Sequence, residues 1–160
     1  MLETRTIAIQ DRYGERFQHC WGCGPKNDLG LHLKTYPSID GKSCISRIKL
    51  ENAYTGGVPS NVFGGMIATI FDCHGTASAA LFAHHQKGLE LTESTVIGRF
   101  ITARLEIDYL SPSPIEDEIV VTSTLEELGE RKAIIAMEMT VATKVRAKAK
   151  MVAVAVKDHM

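Results

Sequence analysis

The sequence carries no excess of either charge. Its 18 Lys and Arg side chains are balanced by 19 Asp and Glu, for a formal net charge of -1. A nucleic-acid-binding domain usually presents a basic surface that neutralises phosphates, and this balance provides none. Composition therefore argues against DNA or RNA as a partner.

Cysteine and long apolar runs are also scarce. Four cysteines in 160 residues are too few for a disulfide framework, so we expect reduced thiols in the cytoplasm. The apolar runs are broken within about a dozen residues, short of the roughly 20 that a transmembrane helix needs. Residues 1–13 include Glu3, Arg5, Asp11 and Arg12, unlike a signal peptide. The expectation is a cytoplasmic protein with no membrane partner.

No internal repeat, low-complexity tract or Ser/Gly linker divides the chain, so we predict a single domain over residues 1–160. Residues 1–28 form a lead-in segment that ends in a turn-rich stretch. Strand-like runs at 31–36 and 43–50 are joined through Asp40-Gly41, a pair suited to a tight hairpin turn. The sequence predicts a hairpin there.

Residues 62–85 are nearly uncharged and apolar on all sides, which predicts a long buried helix. Four strand candidates with short connections follow, at 99–110, 118–126, 132–143 and 146–157. An antiparallel sheet of about six strands wrapped around one central helix buries such a helix economically. The predicted fold class is therefore α+β.

Asp72 is the one charged residue inside the predicted helix, and a buried carboxylate needs a partner or a cavity. It is either a structural residue bonded to Thr69 or Thr76, or a functional one. Gly64-Gly65 lies in the first turn of the same helix, where free amides could hold a carbonyl oxygen, or where small residues are simply required. Eight residues of helix span about 12 Å, so a shared site would need two antiparallel chains.

The string from Phe63 through Gly64-Gly65 to Asp72 resembles the His-Gly-Gly…Asp motif of hotdog-fold acyl-CoA thioesterases of the PaaI (phenylacetate-pathway) type. The stretch from Thr102 to Pro112 is similar to that family's strand leading into a proline turn. The segment from Cys20 to Pro25 is similar to the lead-in of one branch. The combined matches span about residues 20–156.

The resemblance implies a hotdog fold, a homodimer that can pair into a homotetramer, an acyl-CoA substrate and no cofactor. It implies that Gly64 polarises the thioester carbonyl, that Asp72 acts as nucleophile or general base, and that Thr102 helps to hold water. Phe63 stands where the family has histidine, so the pocket is less polar there. Asn61 could supply an amide instead, or could cap the helix. Substrate-binding positions are then Asn61, Phe63, Gly65 and Phe71, with the acyl group along the two phenylalanines.

Three functions follow in order of preference. The first is hydrolysis of an acyl-CoA thioester to a carboxylic acid and CoA. The second is a hotdog protein that binds an acyl thioester or acyl-like ligand without turnover, which the Phe63 departure motivates. Hydration or dehydration of the acyl chain ranks last, because it normally calls for a motif histidine.

The remaining polar residues are given structural roles. Cys20 and Cys23 match half of a zinc site, but two further ligands at suitable spacing are missing, so a structural turn is preferred and no metal is predicted. His74 is expected to be a packed or solvent-facing imidazole. Five basic residues are concentrated in or directly before the last two predicted strands and could either form a solvated strand face or contact the phosphates of CoA. They are Arg131, Lys132, Arg146, Lys148 and Lys150.

Overall fold

The computed structural model describes residues 2–157, so the ends of the predicted domain, residue 1 and residues 158–160, lie outside the described part. Six antiparallel strands and one long helix form the fold. Their bounds are β1 Thr35–Pro37, β2 Ser43–Ile48, α1 Gly64–Gln86, β3 Phe100–Tyr109, β4 Ile119–Leu128, β5 Lys132–Val141 and β6 Lys144–Ala155. The strand order is β1-β2-β4-β5-β6-β3. The predicted α+β hotdog architecture is confirmed.

Short turns fix the strand pairing. Gly41 has φ 71, a left-handed conformation that glycine adopts without strain. The neighbouring Asp40 carboxylate accepts hydrogen bonds from the Ser38 hydroxyl at 2.7 Å and the Lys42 amide at 3.0 Å. The predicted Asp40-Gly41 hairpin is therefore present, with β1 shorter than expected. The lead-in contains two short 3-10 helices, Ile9–Arg12 and Glu15–Phe17.

Helix α1 forms the centre of the core. By length and composition it could cross a membrane, but 78% of its most apolar 18-residue window is buried inside this chain. The helix begins at Gly64 rather than at residue 62, because Phe63 is the N-cap with an extended backbone. Of the two roles left open for Asn61, the structure excludes that of helix cap. Asn61 instead forms a bridge with Pro114, and its carbonyl accepts from the Gly56 amide at 2.9 Å.

The two edges of the sheet differ. Edge strand β1 has three residues, and the N-terminal segment covers it. Thr4 forms a β-bridge with Ser38, and the Arg5 amide donates a hydrogen bond to the Pro37 carbonyl at 2.8 Å. The opposite edge, β3, has ten residues and pairs only with β6 among residues 2–157. A long uncovered edge is a surface for pairing with another strand.

Candidate active site

The Asp72 side chain meets β3 at the edge of the sheet. Thr102 donates a hydrogen bond from Oγ1 to Asp72 Oδ1 at 2.5 Å. Both residues are partly buried, so solvent reaches the pair. Across the described residues 2–157, Asp72 Oδ2 accepts no hydrogen bond. One carboxylate oxygen is therefore anchored, and the other is available to a water molecule or substrate.

The structural alternative for Asp72 assigned its carboxylate to Thr69 or Thr76. Those hydroxyls bond instead to backbone carbonyls, Thr69 to Gly65 at 2.9 Å and Thr76 to Asp72 at 3.1 Å. Such bonds to the carbonyl four residues earlier are typical of helical threonines. Neither threonine hydroxyl therefore bonds to the Asp72 carboxylate, which bonds to Thr102 of β3 instead.

A bulge in β3 gives Thr102 its direction. The register of β3 against β6 shifts between Thr102 and Arg104, which leaves Ala103 as an extra residue. Bulges of this kind change which side chains face the core. Thr102, Leu105 and Ile107 are all partly buried, whereas Ala103 and Arg104 are exposed. The extra residue thus turns the Thr102 side chain toward α1, while side chains in the later part of β3 still alternate between the core face and the outer face.

The other half of the candidate site is the start of α1. Gly64 and Gly65 are exposed and lie in the first turn, where amides have no intrahelical acceptor and the helix dipole is positive. Tyr109 on β3 donates a hydrogen bond from its hydroxyl to the Gly64 carbonyl at 3.0 Å. A Cβ at Gly65 would lie 2.7 Å from the Phe63 ring. The turn therefore presents exposed amides beside an aromatic ring that is 38% exposed.

Sequence reasoning did not assign Tyr109 to the site. Its signal was its position in β3, on the same face as Leu105 and Ile107. Strand β3 thus touches both parts of the site, Asp72 through Thr102 and Gly64 through Tyr109. Because the two contacts lie about 12 Å apart along α1, one thioester carbonyl cannot touch both within one chain.

One predicted substrate contact is not at this surface. Phe71 is 0% exposed and packs in the hydrophobic core, so an acyl group on the surface of this chain cannot lie along it. Its position one residue before Asp72 points it about 100° around the helix, toward the sheet. Of the two phenylalanines predicted to contact the acyl group, Phe63 is the one that is accessible.

His74 lies two residues beyond Asp72 and is a packed imidazole with no exposed surface. Its Nδ1 is 2.7 Å from the Ser46 hydroxyl of β2, and its Nε2 has no partner within residues 2–157. Burial lowers the pKa of His74 to about 3, because the charged imidazolium would be desolvated. This histidine is neutral and closed to substrate.

The basic residues of β6 are paired on the sheet. Lys148 lies 3.3 Å from Glu138, and Lys150 lies 3.1 Å from Glu126. The Arg146 guanidinium donates to the carbonyls of Val141 and Pro112. These contacts favour the solvated strand face over a phosphate-binding patch.

The lead-in cysteines have a neighbour that their sequence spacing did not reveal. Cys20 and Cys23 lie in the expected turn, and the Cys73 sulfur of α1 joins them, all three within 4.8 Å of one another. Cys73 lies far from this turn in the sequence and reaches it because the lead-in folds back over α1.

Comparison with known proteins places this geometry in a family. The model of the thioesterase superfamily matches residues 60–148. A thioesterase superfamily protein from Shewanella loihica is similar at 33% identity, over 79% of this chain and 93% of that one, with a TM-score of 0.62. No curated protein matches the sequence at a significant level.

Two further solved structures share the fold at low identity. The E. coli PaaI protein of the phenylacetic acid degradation operon matches at 12% identity and TM-score 0.59, over 72% of this chain and 73% of that one. A hypothetical thioesterase from Streptococcus pneumoniae, solved with coenzyme A, matches at 14% identity and TM-score 0.59, over 72% and 82%. At these identities the likeness concerns the fold.

Proposed function

This chain belongs to the thioesterase superfamily, and from that premise we propose that it hydrolyses an acyl-CoA thioester to a carboxylic acid and CoA. The observation that carries the proposal is the Asp72 carboxylate, with one oxygen held by Thr102 and the other free at a solvent-reached edge. The coenzyme A in the S. pneumoniae relative supports CoA as the thiol part of the substrate.

In the proposed reaction, Asp72 takes a proton from a water molecule as that water attacks the thioester carbonyl. The negative charge that develops on the carbonyl oxygen is stabilised by the Gly64 amide, with the Gly65 amide beside it. The carbon–sulfur bond then breaks, and the proton held on Asp72 passes to the departing CoA thiolate. Thr102 keeps the carboxylate oriented toward the water through its hydrogen bond.

We propose that each site is shared by two chains. With Ala103 as an extra residue, Thr102 and Tyr109 lie three ladder positions on either side of Glu106. If two β3 edges pair antiparallel around a two-fold axis at Glu106, Thr102 of one chain faces Tyr109 of the second copy. Thr102 is hydrogen-bonded to Asp72, and Tyr109 is hydrogen-bonded to Gly64. The pairing therefore brings the Asp72 carboxylate of one chain close to the Gly64 turn of the second copy, and it does so at two equivalent sites.

Exposed apolar side chains support the same surface. Ile101 and Tyr109 in β3 and Leu110 directly after it are 43%, 54% and 53% exposed, and the Phe63 ring lies nearby at the start of α1. Covering such residues is favourable at about 25 cal/mol per Å² of apolar area. The acyl group would then lie along Phe63, between the two chains. The proposal also places the protein in the cytoplasm, where its four free thiols stay reduced.

The Phe63 ring favours one alternative, binding without turnover. Phenylalanine cannot donate a hydrogen bond to a carbonyl or a water molecule, so the amide turn would act without the histidine of the family motif. A protein of this kind would bind an acyl thioester or an acyl-like ligand and release no thiol.

Release of CoA thiol across short, medium, long and aromatic acyl-CoAs tests the proposal, with wild type and Asp72→Asn compared on each substrate. Turnover by wild type that the variant loses supports the thioesterase. Thermal stabilisation by CoA esters with no thiol release from any of them would contradict it and favour the binding protein.

A further inference from the structure

Three cysteine sulfurs meet where the lead-in crosses α1. Cys20 Sγ lies 3.8 Å from Cys73 Sγ, and Cys23 Sγ completes a group within 4.8 Å. In a tetrahedral site with zinc–sulfur bonds of about 2.3 Å, neighbouring sulfurs lie about 3.8 Å apart. The Cys20–Cys73 separation already equals that edge, and a shift of less than about 1 Å would bring Cys23 to it.

Backbone hydrogen bonds fix the loop around Cys20. The Gly24 amide donates to the Cys20 carbonyl at 2.7 Å, and the Leu33 amide donates to the Gly22 carbonyl at 3.0 Å. Cys20 and Cys23 are therefore held on one tight turn, and the thiolate form of each is the form that binds metals.

The close approach of Cys73 depends on Gly22. A Cβ at this position would lie 2.4 Å from the Cys73 sulfur, closer than any real contact. Glycine therefore lets the loop sit directly on α1, and the three sulfurs form one group because of it.

The charges around the group also suit a cation with thiolate ligands. Arg99 lies near Cys23 and attracts its negatively charged thiolate form, and the Arg99 guanidinium donates to the Tyr13 hydroxyl at 3.2 Å. One positive side chain thus lies near enough to offset the surplus negative charge of three thiolates around a divalent ion.

The geometry points to a binding site for a thiophilic divalent cation of the Zn²⁺ type, with Cys20, Cys23 and Cys73 as ligands. Three sulfurs leave a fourth position, which opens on the half-exposed Cys20 side and takes water or another donor. Binding replaces the remaining thiol protons, which pass to solvent. The ion would tie the lead-in to α1 at the residue next to Asp72.

Titration of the full-length protein with Co²⁺ and then Zn²⁺ tests this site after reduction and removal of bound metal by a chelator. We expect one ion per chain, a sulfur-to-cobalt charge-transfer absorption, and its loss when Zn²⁺ displaces Co²⁺. Changes around a metal's ligands commonly cost 10- to 100-fold in affinity. Cys20→Ser, Cys23→Ser and Cys73→Ser should therefore each weaken Zn²⁺ binding by more than about tenfold.

Cys44→Ser is the matched control. Cys44 is the fourth thiol, fully buried beside the Ser78 and Ser123 hydroxyls, so a serine there has partners and the cation site is untouched. Its Zn²⁺ affinity should equal that of wild type. Equal affinity in Cys73→Ser and Cys44→Ser would overturn the proposal.

A second readout needs no variant that could fail to fold. In wild-type protein, Zn²⁺ should slow alkylation of Cys20, the most accessible thiol of the group. Unchanged alkylation with Zn²⁺ present would overturn the site. So would a reduced protein that binds no ion while the air-exposed protein forms a Cys20–Cys73 disulfide, since the cluster would then be a redox pair.

Discussion

Asp72 and His74 lie two residues apart in the same apolar helix, and each meets a hydroxyl from a strand, yet their surroundings differ. Asp72 bonds to Thr102 on the open edge strand β3 and keeps one oxygen free. His74 bonds to Ser46 on β2 with no exposed surface. The difference shows that, of these two polar residues in a buried helix, only Asp72 can react with a substrate, because only Asp72 lies at an edge of the sheet that solvent reaches.

The comparison also separates two kinds of energetic effect. A buried neutral histidine costs stability when the unfolded chain can take up a proton that the folded chain cannot. A half-open carboxylate with one anchoring bond contributes little to packing, so its loss should affect chemistry instead. The predictions below test this separation.

The largest expected effect is that of Asp72→Asn on turnover. Asparagine keeps the shape and can still accept from Thr102, but it cannot take a proton from water. We expect thiol release to fall by at least about a hundredfold, the lower end of general-base contributions. Urea denaturation should give a midpoint close to that of wild type. An unfolded variant, or one with full activity, would break the distinction between the two residues.

Gly64→Pro removes the proposed amide donor without removing the helix. Proline is well tolerated at the first helical position, and Phe63, with φ -72 and ψ 148, already has the extended backbone that a following proline requires. We expect a loss of about a hundredfold in kcat, the usual cost of one oxyanion donor.

Gly64→Ala is the control for that substitution. It keeps the amide and adds a Cβ at 3.5 Å from the Tyr109 ring, an ordinary contact. Its kcat should remain within a few-fold of wild type. Equal losses in the two variants would mean that space, not the amide, is what the position requires.

His74 should give the protein a pH-dependent stability. Its folded pKa of about 3 lies below the unfolded value of about 6.5, so protons bind only to the unfolded chain between these values. Stability is therefore lost as the pH falls below about 6.5. Between pH 7 and pH 5 this group should cost about 2 kcal/mol. Denaturation of wild type and His74→Gln at both pH values tests this. The free energy of unfolding of His74→Gln should fall by about 2 kcal/mol less than that of wild type between pH 7 and pH 5. An identical fall in the two proteins would contradict the assignment.

Thr102→Val should have the smallest effect of the four. Valine keeps the size and β-branching of threonine on β3 and removes one hydrogen bond to a charged group, worth about 1.5–3 kcal/mol at most. Because the partly exposed carboxylate can be solvated instead, we expect kcat to fall by about tenfold. Thr122→Val, on the outer face of β4, is a matched control that should leave kcat unchanged. A Thr102→Val enzyme as fast as that control would show that Asp72 needs no anchor.

Local sequence patterns were enough to predict the hairpin, the central helix and the positions of the last four strands along the chain, but not the pairing of β3 with β6. Turn residues such as Asp40-Gly41 and the uncharged run around Asp72 act over a few positions, so they can be read directly. The pairing of Asp72 with Thr102 was only implied by family resemblance, because no local pattern links residues 30 positions apart.

Contacts between distant segments account for what the sequence did not reveal. Tyr109 reaches Gly64, and Cys73 joins the lead-in thiols, only because the chain folds back on itself. Phe71 looked like a lining residue beside Asp72, but one residue of helix rotates it into the core. Side-chain direction around a helix whose neighbours are unknown could not be predicted.

The central claim, that one site is built from the carboxylate of one chain and the amide turn of another, can be tested by mixing two inactive variants. Asp72→Asn and Gly64→Pro homodimers should both be nearly inactive. In a mixed dimer, the intact Gly64 of the first variant meets the intact Asp72 of the second at one of the two sites. With random exchange half of the dimers are mixed, so thiol release should recover to about a quarter of the wild-type rate. No recovery, in a sample shown to contain mixed dimers, would contradict the shared site.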